Sequence, residues 1–295
     1  MKQFLQKLLI FGLTGTLLFA TLFLSTDFLI NRPENFQIAP TYSTLIIGHS
    51  HSECSLNDSL IDHTLNLSQS GESFFYSYFK VKKLLEANPG IRRIYIEFTN
   101  NCITTEMNEW MYSDKYLNYR YPKYSAMMGL GAKYQLFRHN PKAFMNAQPV
   151  SVKTKLKYLF LHRSTFIQDA DWGNYLPVYH TLAAADSLKM VEKIGALPIG
   201  ELPEDNLVYL RKLVDLCFEH HIEVSFIRSP QHHAYPLRKN QPIFDSILKK
   251  RFFDVRFLDF NDFPILKGEF ADLEHLNFAG STRFSTAMDT LLKAE

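Results

Sequence analysis

Residues 44–58 read "TLIIGHSHSECSLND": a short uncharged run from Thr44 to Ile47 meets Gly48 and is followed by three serines, two histidines and a cysteine. A continuous apolar run of this length, bounded by a turn residue, reads as a buried strand over 43–48. A strand that ends at Gly48 delivers Ser50 to the carboxyl edge of a sheet, where the start of a following helix can aim backbone N–H groups at it. That placement suits a nucleophile. It equally suits a turn serine that caps a helix, so the stretch alone leaves both readings open.

Working outward, the same alternation recurs. "FFYSYFKVKKLLEA" (74–87) reads as a helix stopped at "NPG", and "RRIYIEF" (92–98) as a second buried strand. Further on, helices are expected over 204–221 and 242–253, and strands over 222–229 and 255–260. Strand and helix in alternation predict an α/β fold, a doubly wound parallel sheet with helices on both faces. Between Cys102 and Pro203 the rhythm breaks into a segment rich in Tyr, Lys and Met. A helical insertion over about 103–202 is expected there, at the edge where ligands bind. Its Trp110, Tyr112, Tyr116 and Tyr119 either stack on sugar rings or form the insertion's own core.

The chain has 295 residues, 46% hydrophobic and 21% charged, enough for one full-sized core. With 32 basic against 30 acidic side chains and no long basic run, nothing calls for a nucleic-acid partner. Lys2 and Lys7 precede an uncharged stretch from Leu8 to Leu24, extended to Ile30 with Asp27 as its one charge. That length crosses a bilayer core of ~30 Å at ~1.5 Å per residue. Residues 1–30 are therefore expected to be an uncleaved anchor, with the lysines inside and the remainder outside the cytoplasm. No cysteine follows the apolar run, which argues against a lipoprotein. Residues 31–42, "NRPENFQIAPTY", read as an extended linker, and a chain beginning near Pro40 is expected to fold without the anchor. Cys54, Cys102 and Cys217 are an odd count without a C-x-x-C spacing, so buried free thiols are expected, with a Cys54–Cys102 pair open in an oxidising compartment.

At the far end, "FADLEHLNFAG" places Asp272 and His275 three residues apart before a C-terminal helix. A serine hydroxyl needs a base, and an imidazole needs a partner that fixes its tautomer; Asp-x-x-His supplies both. As an isolated match the pair also fits a surface ion pair.

Taken together these motifs resemble the SGNH, or GDSL, hydrolase superfamily, in the required order along the chain. Gly48, His49 and Ser50 stand where that family has Gly-Asp-Ser; "NLSQSGES" offers Gly71 for its oxyanion glycine; "IEFTNN" offers Asn100 for its oxyanion asparagine; Asp272 and His275 match its last block. The resemblance spans residues 42–292 and implies an SGNH-like, flavodoxin-like sheet over 43–295. It implies Ser50, His275 and Asp272 as catalytic residues, and the Ser50 and Gly71 N–H groups with the Asn100 amide as oxyanion hole. His49 in place of aspartate and Phe98 in place of glycine depart from the pattern, and Asn101 is a rival for the role of Asn100.

Outward-facing anchored members imply an esterase or O-acyltransferase acting on an acylated cell-envelope glycan or lipid, without a cofactor. A different class stays open: an inactive module that binds a glycan or an envelope-assembly protein partner. His51 reads as a supporting or surface group rather than the base. His232 and His233 follow a strand at the same sheet edge, where His232 could touch substrate; no third ligand at a recognisable spacing accompanies them, so no metal site is expected.

Overall fold

In a computed structural model of the chain, the described residues are 1–161, 166–169, 171–183, 191 and 201–294. Parts of the expected insertion (162–165, 170, 184–190 and 192–200) lie outside them.

Five strands, β1 (Thr44–Ile47), β2 (Thr64–Asn66), β3 (Arg93–Glu97), β4 (Glu223–Arg228) and β5 (Arg256–Asp259), form one sheet in the order β2-β1-β3-β4-β5. Every pairing is parallel. The helices are α1 (Lys2–Ile30), α2 (Ser50–Ser55), α3 (Phe74–Ala87), α4 (Glu106–Tyr112), α5 (Asp114–Tyr124), α6 (Leu130–His139), α7 (Pro141–Leu161), α8 (Phe166–Asp169), α9 (Glu204–Glu219), α10 (Gln241–Arg251) and α11 (Phe278–Ala294).

Successive strand residues point to opposite faces, and burial on both faces explains why the centres of β1, β3 and β4 are largely apolar without alternation. Leu45, Ile47, Ile94, Ile96 and Phe226 face one side and join a core with Leu84 of α3, Leu210 of α9 and Phe244 of α10. Ile46, Tyr95 and Ile227 face the other side, beneath Phe284 and Met288 of α11. Both faces are covered, as the doubly wound expectation requires. The chain leaves β1 for β2 on one side and returns to β3 on the other, so the strand order reverses at the carboxyl ends of β1 and β3. A crevice at such a reversal is where open α/β sheets take their ligands.

Helices α4 to α8 lie in the described part of the insertion, followed by the extended stretch 171–183. Its aromatics serve mainly its own packing: Tyr124 stacks on Trp172 with centroids 5.5 Å apart, and Tyr112 stacks on His139 at 3.9 Å.

Helix α1 is the one described helix long and apolar enough to cross a membrane, with a mean hydropathy of 2.1 in its most apolar window and none of that window's residues buried. Its last turns are docked. Asp27 accepts from Lys133 Nζ at 2.9 Å and from Lys155 Nζ, and Ile30 is fully buried.

Residues 31–42 are docked on the domain as well. Phe36 is fully buried, with its ring 5.3 Å from that of Trp172 and 5.8 Å from that of Phe166. Asn88 clamps the same segment, donating to Phe36 O at 2.8 Å and accepting from Ile38 N at 2.9 Å. The polar composition of "NRPENF" hid this docking because one aromatic ring carries it.

Candidate active site

Gly48 ends β1 in a space that admits no side chain: an added Cβ would lie 2.6 Å from Glu97 Cβ, and Ser52 Oγ also blocks it. His49 is extended and caps α2, its Nδ1 accepting from His51 N at 3.5 Å. Ser50 thereby becomes the first residue of the helix.

The side chains of Ser50 and His275 meet. His275 Nε2 lies 2.7 Å from Ser50 Oγ, and its Nδ1 lies 2.8 Å and 3.0 Å from the two oxygens of Asp272. Asp272 and His275 sit in a loop closed by an antiparallel bridge between Phe270 and Leu276. Within it Asp272 Oδ1 accepts from the backbone N–H of Glu274 at 2.7 Å and of His275 at 2.8 Å, an Asx-type turn that sets the imidazole's direction. With Asp272 on Nδ1, the proton rests there and Nε2 is left to accept from the serine. Burial opposes charge on His275, but the Asp272 hydrogen bond and charge, with Glu274 and Glu97 nearby, outweigh it and hold its pKa above the ordinary value. Burial would raise the Asp272 carboxyl; its contacts with His275 and two backbone donors bring it below the usual range instead.

Among the described residues neither the Ser50 N–H nor the Gly71 N–H has an acceptor. Gly71 holds φ at +68°, and an added Cβ would lie 2.5 Å from Tyr116 Cε1. Its loop is anchored on both sides. Glu53 of α2 accepts from Ser70 N at 2.8 Å, while Arg120 donates to Ser70 O and Gln69 Oε1. Fully buried Lys80 donates to Leu67 O at 2.7 Å and pairs with Glu72 at 2.7 Å, an ion pair whose remaining protons and lone pairs are met by Trp172 O, Tyr124 and Ser77.

The Asn100 amide is already engaged. Its two amide protons go to Asn240 Oδ1 at 2.8 Å and Gln241 Oε1 at 3.1 Å, and its carbonyl accepts from Arg228 at 2.9 Å. The neighbouring Asn101 has its carbonyl oxygen bound by Thr99 Oγ1 and its amide nitrogen without an acceptor among the described residues. Thr99 Oγ1 and Cys102 Sγ each lie 3.3 Å from His49 Nε2. Burial, then the neighbouring His51 and His275, hold His49 well below its ordinary pKa, so the ring is neutral. Since Nδ1 accepts from His51 N, the ring proton sits on Nε2. His49 then donates to Thr99 and Thr99 to Asn101 Oδ1, a directed chain that leaves the Asn101 amide nitrogen as its far end.

His51 is buried, which removes the surface reading. Its Nδ1 meets Gln231 Nε2 at 3.1 Å, its Nε2 stands 3.8 Å from Glu274, and its ring lies edge-on to His275 with centroids 5.3 Å apart. The groups His49, His51, Glu97 and His51, Glu274, His275 each bring ligand-type atoms within 4.8 Å of one another. In the second group both nitrogens of His275 are already committed to Asp272 and Ser50.

Of the expected binding aromatics, Trp110 is buried with its ring 5.6 Å from that of His49, and Tyr116 packs on Gly71. Tyr112 is turned away, donating to Asp205 at 2.6 Å, and Tyr119 donates to Asp171 at 2.8 Å. His232 bonds through its backbone N–H to Leu273 O at 3.2 Å, beside the Asp272 loop, and its ring packs on His233 and Phe270. All three cysteines are free and buried; burial pushes the Cys102 thiol up to about 12 and Cys54 higher still, so neither is a nucleophile.

Sequence reasoning overlooked Gln231 and Glu274, which hold His51 against the base; the signal available was the "RSPQHH" turn after a strand. A family model bearing no functional description matches residues 199–295, a stretch that holds the Asp272–His275 loop and not Ser50. No curated protein matches the chain.

Proposed function

We propose that this chain is an SGNH-type serine acyl-transfer enzyme, an ester hydrolase or O-acyltransferase working through an acyl-enzyme on an acylated cell-envelope glycan or lipid. The observation that carries the reading is the unbroken Ser50–His275–Asp272 hydrogen-bond chain at the reversal of strand order. Ser50 Oγ attacks the acyl carbonyl while His275 Nε2 takes its proton. The developing oxyanion meets the Ser50 and Gly71 N–H groups and the Asn101 amide. Collapse expels the alcohol, which leaves with the proton from His275, and water or a sugar hydroxyl then attacks the acyl-serine by the same route in reverse. The envelope substrate follows from reading α1 as an anchor that holds the site outside the cytoplasm.

The test is labelling with a fluorophosphonate, which reacts with activated serines. The wild-type chain is expected to take up one probe and Ser50→Ala none. A folded wild-type chain that stays unlabelled would instead favour a module that binds a glycan or an assembly partner.

A further inference from the structure

The arrangement of α1 and α7 has a consequence for where the insertion sits. The apolar part of α1 ends at Asp27, whose carboxylate is neutralised by Lys133 and Lys155, and Lys155 also stands 4.2 Å from the ring of Phe23. Helix α7 meets α1 again at Phe19, eight residues earlier. At ~1.5 Å per residue that contact lies about 12 Å along α1 into its apolar stretch. There Phe19, Val152, Leu156, Phe160 and Leu161 line an apolar groove of about 700 Å³. Phe160 and Leu161, adjacent at the end of α7, are 81% and 71% exposed and form one apolar patch with the groove. Lys153 and Lys157, one turn apart, stand on the groove's rim.

We propose that α7 enters the bilayer leaflet on the domain's side, alongside α1, and that the groove holds the acyl chain of a phospholipid whose phosphate meets Lys153 and Lys157. The proposal rests on reading α1 as membrane-spanning. Three features then agree. The depth of Phe19 places the α7 contact within hydrocarbon, the exposed Phe160 and Leu161 gain a solvent that matches them, and the rim lysines extend their apolar stems along the groove while the ammonium groups stay at headgroup level. The catalytic domain is thereby held at a fixed tilt over the membrane, so that Ser50 works on material at the surface.

The full-length chain, reconstituted in vesicles of phosphatidylcholine and phosphatidylglycerol, tests this with bimane attached at Leu17→Cys, Phe160→Cys or Leu266→Cys; the native cysteines are buried. Labels at 17 and 160 are expected to be quenched several-fold more by nitroxide-bearing lipid than the label at 266, which aqueous iodide should quench instead. A label at 160 that follows 266 while 17 stays lipid-quenched would overturn this proposal and leave the anchor standing. Aqueous quenching at both 17 and 160 would overturn the anchor reading and the proposal with it. In native mass spectrometry Lys153→Glu with Lys157→Glu is expected to lose co-purifying phosphatidylglycerol; unchanged retention would overturn the headgroup contact.

Discussion

Ser50 and His275 are 225 residues apart in the chain and 2.7 Å apart between Oγ and Nε2, and in the proposed mechanism they act as one unit. Ser50→Ala and His275→Ala should therefore each abolish ester turnover, and the double variant should be little worse than either, whereas multiplicative losses would reject the pairing. Ser55, whose hydroxyl donates to Ser229 at 2.8 Å, should tolerate alanine with most activity kept. At the oxyanion, Asn101→Ala should lower kcat by ~100-fold to 1000-fold and Asn100→Ala by much less, which steady-state kinetics on an aryl ester would compare. The sequence motif favoured Asn100. The choice between adjacent asparagines was illegible there because Arg228, Asn240 and Gln241, more than a hundred residues away, decide which amide is already occupied. A pH profile gives a separate check. His275 must be neutral to act as base, and its pKa is raised, so the acid limb of kcat/KM should lie above the ordinary imidazole value of 6.5. In Asp272→Asn that limb should move to lower pH while kcat falls; a limb that stays in place would separate Asp272 from the base.

Among the elements, β1, β3 and β4 and the helices α3, α9 and α10 were legible because both-sided burial and helical periodicity leave strong patterns over several residues, while β5, only partly buried, showed through its short apolar run after α10. The three-residue β2 is too short an edge strand to have a period of its own. What the pattern could not convey is how the Gly71 loop is held: by Glu53 from α2, Lys80 from α3 and Arg120 from α5, three elements far apart in sequence. Gly71→Ala tests that loop. A left-handed φ costs an alanine roughly 1 kcal/mol, and its Cβ meets Tyr116 as well, so the N–H should be displaced and kcat should fall at least tenfold with KM changed little. Adding Tyr116→Ala should restore activity in part, because it relieves the contact and leaves the φ. Full activity in Gly71→Ala would remove this N–H from the site.

Across the whole molecule, the sequence divides the chain into anchor, linker and domain, and the structure joins them through Ile30, Phe36 and Asp27. Polar composition concealed this because the apolar part of the docking rests on two side chains, with Asp27, Asn35 and Asn88 supplying polar contacts. Phe36→Ala should destabilise the detergent-solubilised chain by about 3 kcal/mol, and a chain beginning at Pro40 should melt well below one beginning at Ser25; equal melting temperatures by calorimetry would restore the free linker. The central claim, that this assembly forms an acyl-enzyme on Ser50, is tested most directly by intact-protein and peptide mass spectrometry after brief acid-quenched exposure to an aryl ester. One acyl group on the peptide containing Ser50 is expected, present in the wild-type chain and missing in Ser50→Ala. Ester turnover with no adduct at Ser50, or an adduct that persists in Ser50→Ala, would contradict it.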